Sequence, residues 1–120
     1  MNVVCVTGGR AYANLKHVYD TLDAIHRVTP IDVIGHGGAA GADTLAAQWA
    51  RTKGVTPVCV EAMWMHHGPE AGPLRNKIML AILNPSRLVA FPGHTGTKHC
   101  IFHAKALGIP VTIAPEPDKK

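Results

Sequence analysis

Short runs of apolar, β-branched residues alternate along this chain with longer stretches in which apolar residues return every three or four positions. The first run, Val3-Val4-Cys5-Val6, stops at Gly8-Gly9 and has the unbroken apolar character of a strand buried on both faces, as in parallel sheets. Behind Asn14, a residue type that caps helices, Leu15, Val18, Leu22 and Ile25 recur at helical spacing as far as Val28, and Pro30 closes the segment. The pattern then repeats. Ile31 to Ile34 predicts a second strand, and a helix from about Asp43 to Lys53 follows a glycine-rich turn and ends at Gly54. Val55 to Val60 predicts a third strand. After an irregular stretch from Glu61 to Glu70, Gly72 and Pro73 open a helix whose Leu74, Ile78 and Ile82 share one face. Arg87 to Phe91, a helix from Thr97 to Leu107 closed by Gly108, and Ile109 to Ile113 complete the series.

Five strands alternating with four helices predict an α/β fold: a single Rossmann-like, doubly wound parallel sheet with helices on both faces, because right-handed crossovers place them there. Residues 1–114 read as that one domain, and residues 115–120, with Pro115, Pro117, Lys119 and Lys120, as a flexible C-terminal tail. At 120 residues, 47% hydrophobic and 17% charged, the chain has the composition of a globular domain that needs no disulfide or metal staple. Cys5, Cys59 and Cys100 are odd in number and far apart, and two of them lie in runs that look like buried strands. Reduced thiols and a cytoplasmic location are therefore expected. No apolar run approaches the roughly 18 residues of a membrane span, and no membrane partner is expected. A formal charge of +4 favours anionic partners only weakly, so the placement of the charges matters more than their sum.

In a sheet of this kind ligands lie at the carboxyl ends of the strands, and three turns there are rich in glycine: T-G-G-R (Thr7 to Arg10), G-H-G-G-A-A-G-A-D (Gly35 to Asp43) and P-G-H-T-G-T (Pro92 to Thr97). Glycine lets backbone N–H groups approach an anion, and a following helix adds roughly half a positive charge at its N-terminus. No G-x-G-x-x-G follows the first strand and no turn carries G-K-[ST], so the common dinucleotide and P-loop motifs are absent.

The ordered series V-T-G-G-R-x-Y, G-G-A-x-G-A-D-T-L-A-x-x-W-A, A-x-W, A-G-P-L-R-N, A-F-P-G-x-x-G-T and G-I-P-V resembles the YspA-like branch of the SLOG superfamily across nearly the whole chain. The resemblance implies a Rossmann-like fold and recognition of nucleotides or nucleotide-derived signals. It places Gly8, Gly9, Arg10 and Tyr12 at a first ligand-binding turn, and Gly37, Gly38, Gly41 and Asp43 at a second. Asp43 there either caps its helix or accepts a ribose hydroxyl. Pro92, Gly93, Gly96 and Thr97 are implied to cradle a phosphate. Arg75 and Asn76 fall in the first turn of a helix, where a cation opposes the helix dipole. A ligand phosphate would justify Arg75 there, and so would a salt bridge to a neighbouring carboxylate.

Related LOG-type phosphoribohydrolases carry P-G-G-x-G-T-x-x-E, and here Cys100 occupies the place of the glutamate while His94 replaces the second glycine. Ala11, Ala40 and Met63 stand where the branch commonly has Asp, Arg and Asp. Loss of charged groups weakens catalysis more than binding, because glycosidic cleavage needs stabilisation of an oxocarbenium-like centre. Asp43, Glu61 and Glu70 are the acids left to substitute, and no catalytic residue is assigned. The reading that follows is a sensor, carrier or sequestering protein for a nucleotide or ADP-ribose-like ligand. A nucleotide N-glycosidase is the alternative, and single-stranded DNA binding like that of the related DprA ranks last, since the chain has six aromatic residues in all. Trp49 reads as core, and Trp64 as either core or a stacking surface for a base. His99 and His103 have metal-binding spacing without a third ligand nearby, so neither a metal nor a cofactor is expected. The resemblance also implies a homodimer or higher homo-oligomer.

Overall fold

The structure, a computed structural model, describes residues 1–62 and 68–117. Five strands, β1 (Val3–Thr7), β2 (Val33–His36), β3 (Thr56–Cys59), β4 (Arg87–Ala90) and β5 (Val111–Ile113), form one sheet in the order β3-β2-β1-β4-β5. Every pairing is parallel, with Val4 opposite Ile34 on one side of β1 and opposite Arg87 on the other. Among the described residues four helices connect the strands: α1 (Leu15–Val28), α2 (Ala42–Lys53), α3 (Ala71–Leu83), preceded by a 3₁₀ turn at Gly68–Glu70, and α4 (Thr95–Ala106). This is the doubly wound Rossmann-like sheet that the sequence predicts.

Alternation along β1 divides the core into two layers. Val4 and Val6 pack with Val18 and Leu22 of α1 and with Ala46, Trp49 and Ala50 of α2, whereas Cys5 points the other way, onto Met79 and Leu80 of α3 and Cys100 and Ala104 of α4. Trp49 is fully buried, and its indole N–H donates to Asp23 Oδ1 at 2.8 Å. Asn14 caps α1 by accepting the His17 N–H at 3.0 Å, and Gly54 ends α2 in the left-handed conformation at φ +73°. Asn14 also donates to Glu116 at 2.6 Å, which ties the chain near its C-terminal end to the start of α1.

The structure corrects the sequence reading in four places. Leu74, Ile78 and Ile82 do share a face, but it is the outer one, where they remain 36%, 41% and 71% exposed, and α3 instead buries Gly72, Asn76, Met79 and Leu80. The helix is apolar nearly all round, so periodicity alone did not select the buried side. Strand β2 runs from Val33 to His36 instead of Ile31 to Ile34; before it, the Ile31 N–H is taken by His26 Nδ1 and that of Asp32 by the Asn2 carbonyl. Cys59 is exposed because β3 is an edge strand; the buried thiols are Cys5 and Cys100. Finally, β4 ends at Ala90 and α4 begins at Thr95, two positions before the predicted Thr97, which leaves only Phe91 to His94 as the turn after β4.

The strand order reverses direction between β1 and β4, and in open α/β sheets a ligand crevice lies outside the carboxyl ends of the strands at such a point. The turns after β1 and β4 are therefore neighbours by topology. The turn after β2 lies beside them.

Candidate functional site

The three glycine-rich turns are tied to one another by backbone hydrogen bonds. The Gly9 N–H donates to the Pro92 carbonyl at 2.8 Å, and the Gly9 carbonyl accepts from Tyr12 at 3.2 Å and from Ala42 at 3.3 Å. Contact this close explains most of the glycines without a ligand. A Cβ on Gly8 would stand 2.5 Å from that of Ala42, and one on Gly93 would press on Thr97 Oγ1 and lie 2.8 Å from the Gly9 nitrogen. Gly41 combines φ +80° with the Gly9 and Arg10 carbonyls directly over its Cα, so only glycine fits there.

Gly96 is the exception. It lies in the first turn of α4, has no positive φ, and a Cβ built on it would meet nothing within 4 Å among the described residues. Those residues supply no reason for glycine at this position. No side chain caps α4, whose cap residue is His94, and the first backbone bond into the helix is Lys98 N–H to the His94 carbonyl. The amides of Thr95, Gly96 and Thr97 thus belong to the unpaired first turn, and all three residues line the crevice described below.

Two buried polar side chains and one arginine shape the turn after β2. Asp43, 5% exposed, accepts from the Gly37 N–H at 2.9 Å and from the Ala39 N–H at 3.3 Å through the same oxygen. It therefore closes the preceding turn instead of capping α2, which has no side-chain cap. Burial raises the Asp43 carboxyl above the ordinary range, and the two amides and Arg75 pull it back. His36, buried at the end of β2, accepts the Gly38 N–H on Nδ1 at 3.0 Å, so the proton of its neutral ring sits on Nε2. Burial first, then the charges of Arg51 and Arg75, lower its pKa and keep the ring neutral. From α3, Arg75 donates through Nη1 to the Gly37 carbonyl at 2.6 Å and through Nε to Asn76 Oδ1 at 2.8 Å, and Asn76 donates to the Gly96 carbonyl at 3.3 Å. The Gly37 peptide is thereby held from both sides. The cation in the first turn of α3 is accounted for by a carbonyl, and no salt bridge to Arg75 occurs among the described residues.

These parts enclose a crevice of about 790 Å³ that runs from Tyr12 to Met79 and takes in Gly8, Gly9, Arg10, Gly37, Asp43, Arg75, Asn76, Pro92, Gly93, Gly96 and Thr97. The volume is ample for a nucleotide. Arg10, Arg75, His94 and His99 line it, and among the described residues Asp43 is the sole acid that does. Gly38 faces an adjoining cavity, Gly41 lines neither space, and Trp64, with Met63, His66 and His67, lies outside the described residues. Tyr12 stacks on Phe91 with ring centres 6.0 Å apart, and burial followed by the nearby Glu116 carboxylate raises its phenol pKa.

Cys100, at the position of the LOG glutamate, is fully buried behind this surface and its thiol is pushed up to about 11, chiefly by burial. Cys5, beside it in the same core layer, is pushed up to about 12. Neither is a reactive thiolate. His36 and Met79 belong to the site without having been singled out in the sequence. His36 stood inside the glycine-rich turn Gly35 to Asp43 but received no role, because its burial at a strand end and its bond to the Gly38 N–H are set by the fold. Met79 was hidden because α3 carries apolar residues on every side. No cluster of metal-ligating side chains and no helix long and apolar enough to cross a membrane occurs among the described residues.

Comparison with known proteins places this architecture. The chain is similar in structure to DprA, the DNA processing protein A of Streptococcus pneumoniae, with a TM-score of 0.76 at 18% identity over 94% of this chain and 50% of that one. It is also similar to TM1055, a structural-genomics target, with a TM-score of 0.71 at 23% identity over 92% of this chain and 72% of that one. At such identities both likenesses concern the fold. In sequence it is 41% identical over 119 residues to the Gene 61 protein of Mycobacterium phage D29, covering 92% of this chain and 94% of that protein. Residues 2–67 match the family described as YspA, cpYpsA-related SLOG. With more than half of its length matching that description and a close relative spanning nearly all of it, the chain belongs to the YspA, cpYpsA-related SLOG family.

Proposed function

We propose that the crevice binds a nucleotide or nucleotide-derived molecule of the ADP-ribose kind, with a phosphate received by the first-turn amides of α4, and that the protein acts as a sensor, carrier or sequestering protein for it. Gly96 carries this reading. Glycine inside a helix costs about 0.5–1 kcal/mol relative to alanine, and here neither φ nor crowding by the described residues calls for it. Space kept clear above uncapped amides, at the switch point of a parallel sheet, suits close approach by an anion. Arg10 and Arg75 on the same crevice, with Asp43 as its sole lining acid among the described residues, give it the sign that a phosphate requires.

Binding is favoured over turnover by what the acids do. Asp43 spends one oxygen on two backbone amides, and the place of the LOG glutamate holds a buried thiol. The test is a thermal-shift panel of AMP, ADP and ADP-ribose, followed by chromatography for released base. A ligand at 100 times its Kd adds about 2.7 kcal/mol to the stability of the folded state, a shift of several degrees. A shift with phosphate-bearing nucleotides and no free base is the expected result. No shift with any of them would sink the proposal, and release of base would replace it with the glycosidase reading.

A further inference from the structure

Beside the crevice lies a second cavity of about 430 Å³, and Arg10, Gly37, Ala39 and Arg75 line both spaces. These four residues form a shared wall. Beyond it the second cavity is bounded by Gly38, Ala40, Glu61 and Ala62. No apolar side chain larger than alanine faces it among the described residues.

Its hydrogen-bonding character is set by the turn after β2. The N–H groups of Gly37 and Ala39 are committed to Asp43 and that of Gly38 to His36, so this backbone cannot receive an anion through those amides. Exposed Glu61 adds a carboxylate on the same side. Beyond the shared wall, committed amides and the Glu61 carboxylate favour groups that donate, above all hydroxyls, over phosphate. The shared wall has the opposite character, with two guanidinium groups, and Arg75 is held there by the Gly37 carbonyl. Across the two spaces the chemistry runs from amide cradle, to cations, to a carboxylate.

The geometry points to a two-part ligand of the nucleoside diphosphate sugar class, with its nucleotide in the main crevice, a bridging phosphate against Arg10 and Arg75, and a hydroxylated sugar in the second cavity. This rests on the reading that a nucleotide phosphate sits at α4, and it assigns the second cavity as a sugar subsite. Glu61 is the side chain that selects the sugar.

Calorimetric titration of the full chain with ADP and with ADP-ribose, which differ only in the distal ribose, separates the two levels. The wild type is expected to bind ADP-ribose about tenfold more tightly than ADP, the gain from a few additional hydrogen bonds, one of them to a charged group. Ala40→Trp, at an exposed position that faces only the second cavity, should remove that gain and leave ADP affinity unchanged. Glu61→Gln, an exposed and near-isosteric change, should weaken ADP-ribose about threefold and ADP not at all, and it carries the test if the tryptophan variant fails to fold. Equal affinity of the wild type for both ligands, or a preference that survives both substitutions, overturns the sugar subsite while the nucleotide site stands. Absence of binding by either ligand removes both.

Discussion

Replacing Gly96 by alanine should move stability and binding in opposite directions. The new methyl meets nothing within 4 Å and the backbone there has an ordinary φ, so neither strain nor overpacking opposes the change. Alanine in place of glycine also restricts the unfolded chain, and together these effects add about 0.5–1 kcal/mol, with the lower figure suited to the first turn of a helix. For a domain of this size that corresponds to a rise in Tm of about 2–4 °C. The same methyl is added to the wall of the crevice that Gly96 lines, and holding a phosphate oxygen away from even one amide forfeits a charge-assisted hydrogen bond of about 1.5–3 kcal/mol. Affinity for a phosphate-bearing nucleotide should fall about tenfold to a hundredfold. Thermal melts of the unliganded variant and calorimetry of both proteins give the two numbers independently. A higher Tm with unchanged affinity would show that glycine is not kept for a ligand, and a lower Tm would show that the space is occupied in solution.

Gly93→Ala is the contrasting case, because its methyl would press on Thr97 Oγ1 and on the Gly9 nitrogen; a loss of about 2 kcal/mol in urea unfolding is expected, and a neutral result would mean that the turns are looser than described. Asp43→Ala leaves the buried Gly37 and half-buried Ala39 amides without this acceptor and should cost about 2 kcal/mol, measured the same way, whereas a change below about 0.5 kcal/mol would refute the turn-closing role. His36 makes part of the stability depend on pH. Its folded pKa lies below the ordinary imidazole value of 6.5, so the unfolded chain takes up its proton first, and the contribution is complete above that value and lost as pH falls below it. The fall in Tm between pH 7 and pH 5 should be shallower in His36→Gln, and an identical slope in both proteins would exclude His36 as its source.

Much of the fold was legible in the residues because local rules and the global fold agree. The run Val3 to Val6 is apolar at every position because β1 is the central strand and packs on both faces, and Asn14 and Gly54 mark helix ends through hydrogen bonds and a backbone conformation that neighbouring residues decide. Where local signals were degenerate, the reading failed. The apolar residues of α3 point in all directions, and only the shape of the layer beneath it determined that Met79 and Leu80 turn inward and Leu74, Ile78 and Ile82 outward. Cys59 lost its expected burial because nothing in its own segment shows that β3 is an edge.

The candidate site divides in the same way. That three glycine-rich turns crowd one end of a parallel sheet follows from their positions after strands, and the family resemblance follows from the motifs themselves. What each glycine is for does not. Gly8, Gly41 and Gly93 are required by turns that press on one another, and Gly96 by nothing among the described residues, a distinction that rests on distances between segments far apart in the chain. Asp43 and Arg75 likewise reach the same Gly37 peptide from different helices. Sequence by itself determined which elements form and where a crevice must open, because periodicity and strand order are properties of the chain. Which side chains hold that crevice together, and which leave space in it, was decided by tertiary packing, because a contact is a property of two surfaces and only one of them is local.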